Sequence, residues 1–583
     1  MANNQKTEPK MSMNPRIEKD RQLILSAKEK GRVATVGAYL RLSGPGWLQS
    51  AITLGGGSLS SSLYLGVLVG FTFMWLQPLA MILGVIMLSA IAYVSLSTGQ
   101  RPFRAINEHV NPVLGWGWLI ASMMANLVWS MPQFALGTAA IQQNLFSNTL
   151  GVEVMGDPWG KIIAGCILLA ISIIIVMLYS ISGWGVKVFE IIVKCMVGMI
   201  VFCFFGVVFK LSLKGALDWG AIFHGLIPNF GLVSRPADTL MPFIQAIDAK
   251  FQDFWTTLIV SQQRDVMISA AATAVGINMT FLLPYSMLRK GWDKTFRGLA
   301  IFDLSTGLFI PYILTTGCVV IAAASQFHAV PSTGFLGELD AQGQPIKPVA
   351  NLVASYNDLM EQRLKYEVSA EVFAGLSAEE KTGRIAALEE SLSQPEKEMA
   401  AMVVKRDAFN LANSLVPLVG ESSRYFFGIG VTGMALGAIT MLMLINGLVV
   451  CEMFNLPPKG WPQRLGCLMV SVGVLGPFFW NDAKLWLAMP TSVFAMVLLP
   501  IAYISFYMLM NQKSLLGDNL PRGGKRVAWN TMMALAVVGT AFLSIYDIMT
   551  RGAVLRQAGI VVLIAFTSLA VIVHFARRKG KKA

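Results

Sequence analysis

The chain has 583 residues, of which 55% are hydrophobic and 14% are charged, and its formal net charge is +13. A mean hydropathy of +0.59 and recurring apolar runs of about 20 residues exclude an ordinary soluble protein and predict a polytopic membrane protein. The basic residues lie in short loops and at both termini rather than in one patch, which argues against a nucleic-acid partner.

Apolar segments long enough to cross a bilayer follow a polar, basic tail of residues 1–40. This tail does not have the pattern of a cleavable signal peptide, so we expect the first span to remain in the protein. We predict about twelve spans, at 44–70, 72–98, 113–146, 161–181, 187–211, 265–288, 297–325, 424–454, 463–480, 484–510, 528–548 and 557–576.

Lysine and arginine are concentrated in the loops that follow even-numbered spans and in the C-terminal "ARRKGKK". Basic loops stay on the cytoplasmic side of a membrane. We therefore expect a multi-pass protein of the cell membrane, surrounded by the lipid bilayer, with both termini in the cytoplasm.

Two loops on the other side are long. Residues 212–264 carry aromatic side chains among polar ones, which predicts a segment lying along the membrane interface. In residues 326–423, Ser377 and Glu380 have capping-box spacing, and Ile385, Leu388 and Leu392 follow at helical spacing. We predict an extracytoplasmic helical insert there; a solvated spacer is the simpler interpretation of the same segment.

These features divide the chain into five parts. They are a cytoplasmic basic tail (1–40), spans 1–7 (41–325), the extracytoplasmic insert (326–423), spans 8–10 (424–510), and spans 11 and 12 with a basic cytoplasmic tail (511–583).

Two spans are interrupted near their midpoints, the first by three glycines and the sixth by a glycine with Pro284 beyond it. Each glycine costs a helix about 1 kcal/mol relative to alanine. Close packing of helices explains one such segment, but interruptions in both spans 1 and 6 indicate a transporter site lined by unwound backbone. The predicted substrate-binding residues are Gly55, Gly56, Gly57, Ser58, Val275, Gly276, Ile277 and Asn278.

Three stretches, "SGPGWLQSAITLGGGS", "LGTAAIQQNLF" and "NGLVVCEMF", resemble helices 1, 3 and 8 of the natural resistance-associated macrophage protein (NRAMP) family. The resemblance extends over spans 1–10. It implies an all-α polytopic protein with a leucine-transporter-like inverted repeat of 5+5 helices and two further C-terminal helices. It also implies the function of that family, proton-coupled transport of divalent metal ions. The insert has no counterpart in the family pattern.

The metal-binding motifs of the family are replaced in this chain. The helix 1 motif Asp-Pro-Gly-Asn falls on residues 55–58, and the helix 6 motif Met-Pro-His-Asn falls on residues 275–278, where only Asn278 matches. A second family histidine falls on Leu282, and the helix 3 acids of the proton pathway fall on Met131 and Phe134. The resemblance therefore implies a changed substrate or a lost coupling.

Few charged residues lie within the predicted spans, where charge is costly and usually functional. Glu190 and Lys194 are four residues apart on one helix, so we expect them to neutralise each other. Asp303 and Glu452, the latter matching the family pattern, lie near inner helix ends and are predicted gating or coupling residues. Asp547 is a further intramembrane acid.

The function expected from these observations is secondary transport of a small solute or ion by alternating access, with the transition-metal ligands replaced. We expect no enzymatic activity, no cofactor and no metal site of transition-metal ligands. A divalent cation would be held by backbone carbonyls, Ser58, Asn278 and retained waters, which suits a large hydrated ion better than iron or manganese. The alternatives are a small polar organic solute such as an amino acid, and a non-transporting sensor or assembly factor built on a transporter scaffold.

Overall fold

The computed structural model describes residues 15–181, 183–340, 342–406, 408–420, 422–479, 488–550 and 553–580. Helices dominate this part of the chain. Those of at least eight residues are α1 (Pro15–Lys30), α2 (Arg32–Leu42), α3 (Pro45–Thr53), α4 (Gly56–Val69), α5 (Leu76–Thr98), α6 (Pro102–His109), α7 (Pro112–Ala140), α8 (Trp159–Ser180), α9 (Trp184–Leu213), α10 (Ala249–Ala274), α11 (Ile277–Arg289), α12 (Arg297–Leu304), α13 (Ile310–Phe327), α14 (Ala350–Val368), α15 (Ala378–Ser391), α16 (Gln394–Val403), α17 (Ser422–Met453), α18 (Trp461–Met469), α19 (Ala488–Met510), α20 (Gly523–Thr550) and α21 (Ala553–Gly580).

Among the described residues, nine helical segments are long and apolar enough to cross a membrane, or ten if the bent pair α3–α4 is one span. The multi-pass helical prediction is confirmed. The ninth span, predicted over 463–480, is not one helix: α18 is followed by a 3₁₀ segment, Val470–Leu475, and a short helix, Gly476–Phe479. Part of the tenth predicted span, 484–487, lies outside the described residues.

Close contact with α7 accounts for the irregular ninth span. A Cβ atom added to Gly473 would lie 2.7 Å from the Cβ of Ser130, and one added to Gly476 would meet the backbone of Met131. The backbone of this segment therefore lies directly against α7, where a side chain would not fit.

The two interrupted helices pack in opposite senses. The first consists of α3 and α4, which meet at a bend of 57°, and the second consists of α10 and α11. The second half of one lies against the first half of the other, because α4 packs on α10 while α3 packs on α11. This is the arrangement of the leucine-transporter-like inverted repeat, and the predicted fold class is confirmed.

The core of the protein is built around α17, which packs against α7, α9 and α3 and is almost completely enclosed. The two C-terminal helices lie at the periphery. The apolar stretch of α21 has no buried residue, whereas most of that of α17 is buried. They are additions to the repeat rather than parts of it.

The insert is helical, and its capping box is present. The Ser377 hydroxyl accepts the Glu380 N–H at 3.3 Å, and the Glu380 carboxylate accepts the Ser377 N–H at 2.8 Å. This second bond, together with the serine hydroxyl, holds the pKa of Glu380 below its ordinary value. Helix α15 ends at Ser391, so Leu392 lies just beyond it. The predicted loop 212–264 is shorter than expected, because α10 begins at Ala249 and the sixth span therefore starts before residue 265. The interfacial placement of the rest of this loop stays a prediction.

The close packing of α4 on α13 can be tested by a substitution at Gly66. A Cβ there would lie 2.7 Å from both the Cβ of Ala323 and the carbonyl oxygen of Val320. We expect Gly66→Ala to destabilise the protein by about 1–3 kcal/mol through overpacking, which a thermal melt of the purified protein would show.

Gly206→Ala is the matched control, since an added Cβ there meets nothing within 4 Å. Helix propensity alone should leave this variant as stable as the parent or raise its stability by about 1 kcal/mol. Equal melting temperatures for the two variants would contradict the close α4–α13 contact.

Candidate functional site

A cavity of about 40 Å³ lies where the two interrupted helices meet. This volume has room for about three water molecules. Four of the predicted binding residues line it: Gly55, Gly57, Ser58 and Gly276. The rest of the lining comes from the same helices and from α7, namely Ile52, Thr53, Ala272, Thr273, Met279, Trp129 and Gln133.

The other four predicted residues are buried beside the cavity without lining it. The Gly56 N–H donates to the side-chain oxygen of Gln133 at 2.8 Å. Val275 and Ile277 are core residues. The Asn278 amide donates to the Asn126 side-chain oxygen at 3.1 Å.

Both interruptions are shorter than predicted. Only Leu54 and Gly55 separate α3 from α4, and only Val275 and Gly276 separate α10 from α11. Residues 56–58 and 277–278, expected to be unwound, form the first turns of the second half-helices instead. The chain unwinds only as far as the change of direction requires, because each further unwound residue would leave more backbone groups unpaired in the membrane.

Space, rather than an unusual backbone conformation, favours glycine in the first interruption. Gly55 is extended, with φ −122° and ψ −172°, which any residue can adopt. An added Cβ on Gly55 would lie 3.1 Å from the Gln133 oxygen and 3.2 Å from the Cβ of Ala438. One on Gly56 would lie 3.0 Å from Leu136. The glycines let α7 and α17 approach the interruption.

Two side chains outside the predicted set accept hydrogen bonds from backbone N–H groups at the interruptions. Gln133 caps α4 through the Gly56 N–H. The Met279 sulfur accepts from the Gly276 N–H at 3.3 Å and from the Thr53 hydroxyl at 3.1 Å, so it links the two interruptions. Met279 lies one residue beyond the predicted interruption at 275–278. Gln133 could have been found from the sequence, because it is a polar residue within the apolar stretch "SMPQFALG".

The cavity is lined by both polar and apolar groups, and none of the lining side chains is ionisable. In the described part of the chain, no group of three or more histidine, cysteine, aspartate and glutamate residues could hold a metal ion. The helix ends supply partial charge instead: the C-termini of α3 and α10 are partly negative, and the N-termini of α4 and α11 are partly positive. Such a site offers neutral oxygen ligands, and its only charge is the partial charge of the helix ends.

Fully buried amide atoms near the interruptions have spare hydrogen-bonding capacity. Within the described residues, neither polar atom of the Gln49 side chain has a partner, nor has the Asn278 side-chain oxygen. Gln49 lies one helical turn before Thr53 and so on the same face of α3. Unpaired buried polar groups are rare in native proteins and mark places where water or a ligand binds.

Asp303 holds the start of the first interrupted helix. Its carboxylate accepts the Ser43 hydroxyl, the Gly44 N–H at 3.1 Å and the Gly46 N–H at 2.6 Å, and it is fully buried. A negative group at a helix N-terminus is favourable because it satisfies N–H groups that have no partner in the helix. Asp303 thus ties α12 to α3.

Three other intramembrane charges have partners on other segments. Glu190 forms an ion pair with Lys290 at 2.9 Å, and Lys194 donates to the Ser43 carbonyl at 2.7 Å. Glu190 and Lys194 also attract each other, as expected, but each makes its direct contact with another segment. Glu452 pairs with Arg101 at 3.2 Å.

Comparison with known proteins places these features in context. Residues 46–357 and 396–550 match the family described as natural resistance-associated macrophage protein-like. The metal transporter Nramp6.2 of Populus trichocarpa is 25% identical over 169 residues, 29% of this chain and 28% of that protein. The divalent metal cation transporter MntH of Burkholderia ambifaria is 22% identical over 201 residues, 34% of this chain and 41% of that protein. The aligned segments thus span less than half the length of these relatives.

The fold is also that of a solved transporter. A crystal structure of the Eremococcus coleocola manganese transporter, in complex with an aromatic bis-isothiourea substituted compound, superposes with a TM-score of 0.61 over 93% of this chain and 96% of that one. The sequence identity is 15%, so the likeness concerns the fold.

Asp303→Asn tests the link between α12 and α3. The substitution keeps the size of the side chain but removes the charge that accepts three hydrogen bonds, so we expect a loss of about 1–3 kcal/mol in stability. A lower melting temperature would show it. Asp157→Asn, at an exposed pair with Lys161, should have little effect; equal effects of the two substitutions would contradict the capping role.

Proposed function

Because the chain belongs to the natural resistance-associated macrophage protein family, we propose that it is a secondary transporter that carries a hard, hydrated cation by alternating access. The cation binds between the two interrupted helices. The observation that supports this most directly is the cavity, with hydroxyl and amide groups in its lining, formed where α3, α4, α10 and α11 meet.

The hydrogen bonding around the cavity favours an ion over an organic solute. About 40 Å³ accommodates an ion with a few waters. An amino acid would need free N–H groups to bind its carboxylate. The Gly56 N–H, which would serve that purpose, already donates to Gln133.

The donor atoms favour a hard cation that keeps part of its water shell. Hydroxyl, amide and carbonyl oxygens suit such ions, whereas iron and manganese are held better by carboxylate, imidazole or thioether ligands. The single thioether, Met279, is engaged with Thr53 and Gly276. Without a carboxylate in the cavity, we expect weak binding, on the order of millimolar.

The proposed topology keeps both termini in the cytoplasm and the insert outside, because the basic loops fall on one side. In this orientation Asp303 and Glu452 lie toward the cytoplasm. Each ties together helices that must separate if the cavity is to open inward, so they serve as gating residues in the proposed cycle.

The non-transporting alternative has less support. A scaffold without a substrate has no reason to keep two matched interruptions, each capped by a specific side chain, since a continuous helix satisfies its backbone at lower cost. A sensor that binds the same cation without moving it would show binding without flux.

Gln133 provides the first test of the proposed site. In proteoliposomes, we expect uptake of Mg²⁺ to fall about tenfold or more in Gln133→Leu, because the substitution removes the amide from the cavity and uncaps α4. Uptake is measured with a fluorescent Mg²⁺ indicator inside the vesicles. Glycine uptake is assayed in parallel; flux of glycine but not Mg²⁺ would favour the organic-solute alternative.

Gln77→Leu is the matched control. Gln77 is a buried amide that donates to Ser62 at 2.8 Å and does not line the cavity. It should lose stability without a selective loss of uptake per folded molecule. Equal losses of uptake in both variants would place the site elsewhere.

Manganese provides a second test. We expect isothermal titration calorimetry to show no micromolar binding of Mn²⁺, since the cavity lacks the carboxylate ligands that such affinity requires. Micromolar binding that Asn278→Ala abolishes would overturn the assignment of a hard, hydrated cation.

A further inference from the structure

A buried ion pair between two helices of the insert is hydrogen-bonded to α10. Arg363 on α14 donates to Glu396 on α16 at 3.0 Å, and the Trp255 indole N–H on α10 donates to the same carboxylate oxygen at 3.1 Å. The side chains of Arg363 and Glu396 are 1% and 4% exposed. One carboxylate therefore joins two insert helices to the second interrupted helix.

Neighbouring groups complete the environment of this arginine. Its guanidinium also binds Glu367 at 3.0 Å and lies 3.5 Å from the centre of the Phe251 ring. Withdrawing α10 from the insert would take the Trp255 indole donor and the Phe251 ring away from this buried ion pair, and the loss of a hydrogen bond to a buried charged group is unfavourable.

A second anchor joins the insert to α13. Arg406 is buried, donates to the carbonyls of Met402 and Val330, and lies over the ring of Phe327, the last residue of α13. Burial lowers the pKa of Arg406 to about 10, so the side chain stays charged at neutral pH. The insert thus bridges the ends of α10 and α13.

The helix held in this way also closes one side of the cavity. The hydroxyls of Ser61 on α4 and Ser269 on α10 are 2.7 Å apart and fully buried. Ser269 lies about one turn from Thr273 at the cavity, toward the insert. We call the contact between α4 and α10 at Ser61 and Ser269 the seam. Because α10 is continuous from Ala249 to Ala274, Trp255 and the α10 side of the seam belong to one rigid helix.

Part of this attachment is additional to the family pattern. Residues 358–395 fall between the two matched segments, and they include Arg363 and Glu367. The arginine that holds Glu396 therefore comes from a segment outside the match.

We propose that the insert is a clamp that holds α10 and α13 against α4 and keeps the cavity closed on the insert side. This role goes beyond the proposed transport activity and does not depend on the identity of the substrate. It sets how readily the seam between Ser61 and Ser269 opens.

The test measures opening of that seam in the purified full-length protein. A reporter cysteine, Ser269→Cys, is introduced after the two exposed cysteines, Cys166 and Cys195, are replaced by alanine. Trp255→Phe removes only the indole donor to Glu396, and Glu396→Gln weakens the ion pair. We expect a water-soluble maleimide to label position 269 about tenfold faster in both variants.

Two controls separate a clamp from general loosening. Lys365→Gln breaks an exposed pair with Glu361 on the same insert helix and should leave the labelling rate unchanged. A reporter placed by Ser286→Cys on α11, the other half of the interrupted helix, should not respond to Trp255→Phe. Unchanged labelling at position 269, or equal acceleration at both reporters, would overturn the proposal; neither result would bear on transport, because the assay contains no substrate.

Discussion

The constraint on which this structure depends is that a membrane offers no water to an unpaired backbone group. Interrupting a helix there is possible only where other parts of the protein take over the lost hydrogen bonds. Gln133 does so for the start of α4, and Met279 does so for the second interruption while also binding Thr53. The same constraint limits each interruption to two residues and brings α7 and α17 close to the glycines. The cavity is the space that remains between the polar groups that form these hydrogen bonds.

The charged side chains within the membrane are also paired with other parts of the protein. Asp303, Glu190 and Glu452 each find partners on another segment, and those partners lie away from the cavity at the opposite end from the insert. The cavity itself holds only neutral donors. This separation means that the interactions resisting movement of the helices are electrostatic and peripheral, whereas the proposed binding site is weakly polarised. We expect a site of this kind to exchange a hydrated cation easily and to bind a transition metal weakly.

The insert adds a second peripheral constraint. Its buried arginines attach it to the ends of α10 and α13 rather than to the lipid-facing helices α20 and α21. A loop that served only as a connection would not require two buried guanidinium groups, since burying charge is costly. The simpler interpretation of this segment as a solvated spacer therefore does not account for Arg363 and Arg406.

The sequence by itself determined the features that depend on local pattern. Hydropathy identified the membrane class, paired glycine segments located the two interruptions to within a few residues, and the spacing of Ser377 and Glu380 marked the start of α15. Only the tertiary structure decided which side chains meet. Gly56 and Gln133 are 77 residues apart and Thr53 and Met279 are 226 apart, so no local periodicity relates them. The ion pair of Glu190 with Lys290 was missed for the same reason: the proximity of Glu190 and Lys194 along one helix was visible in the sequence, whereas Lys290 approaches only after the helices have packed.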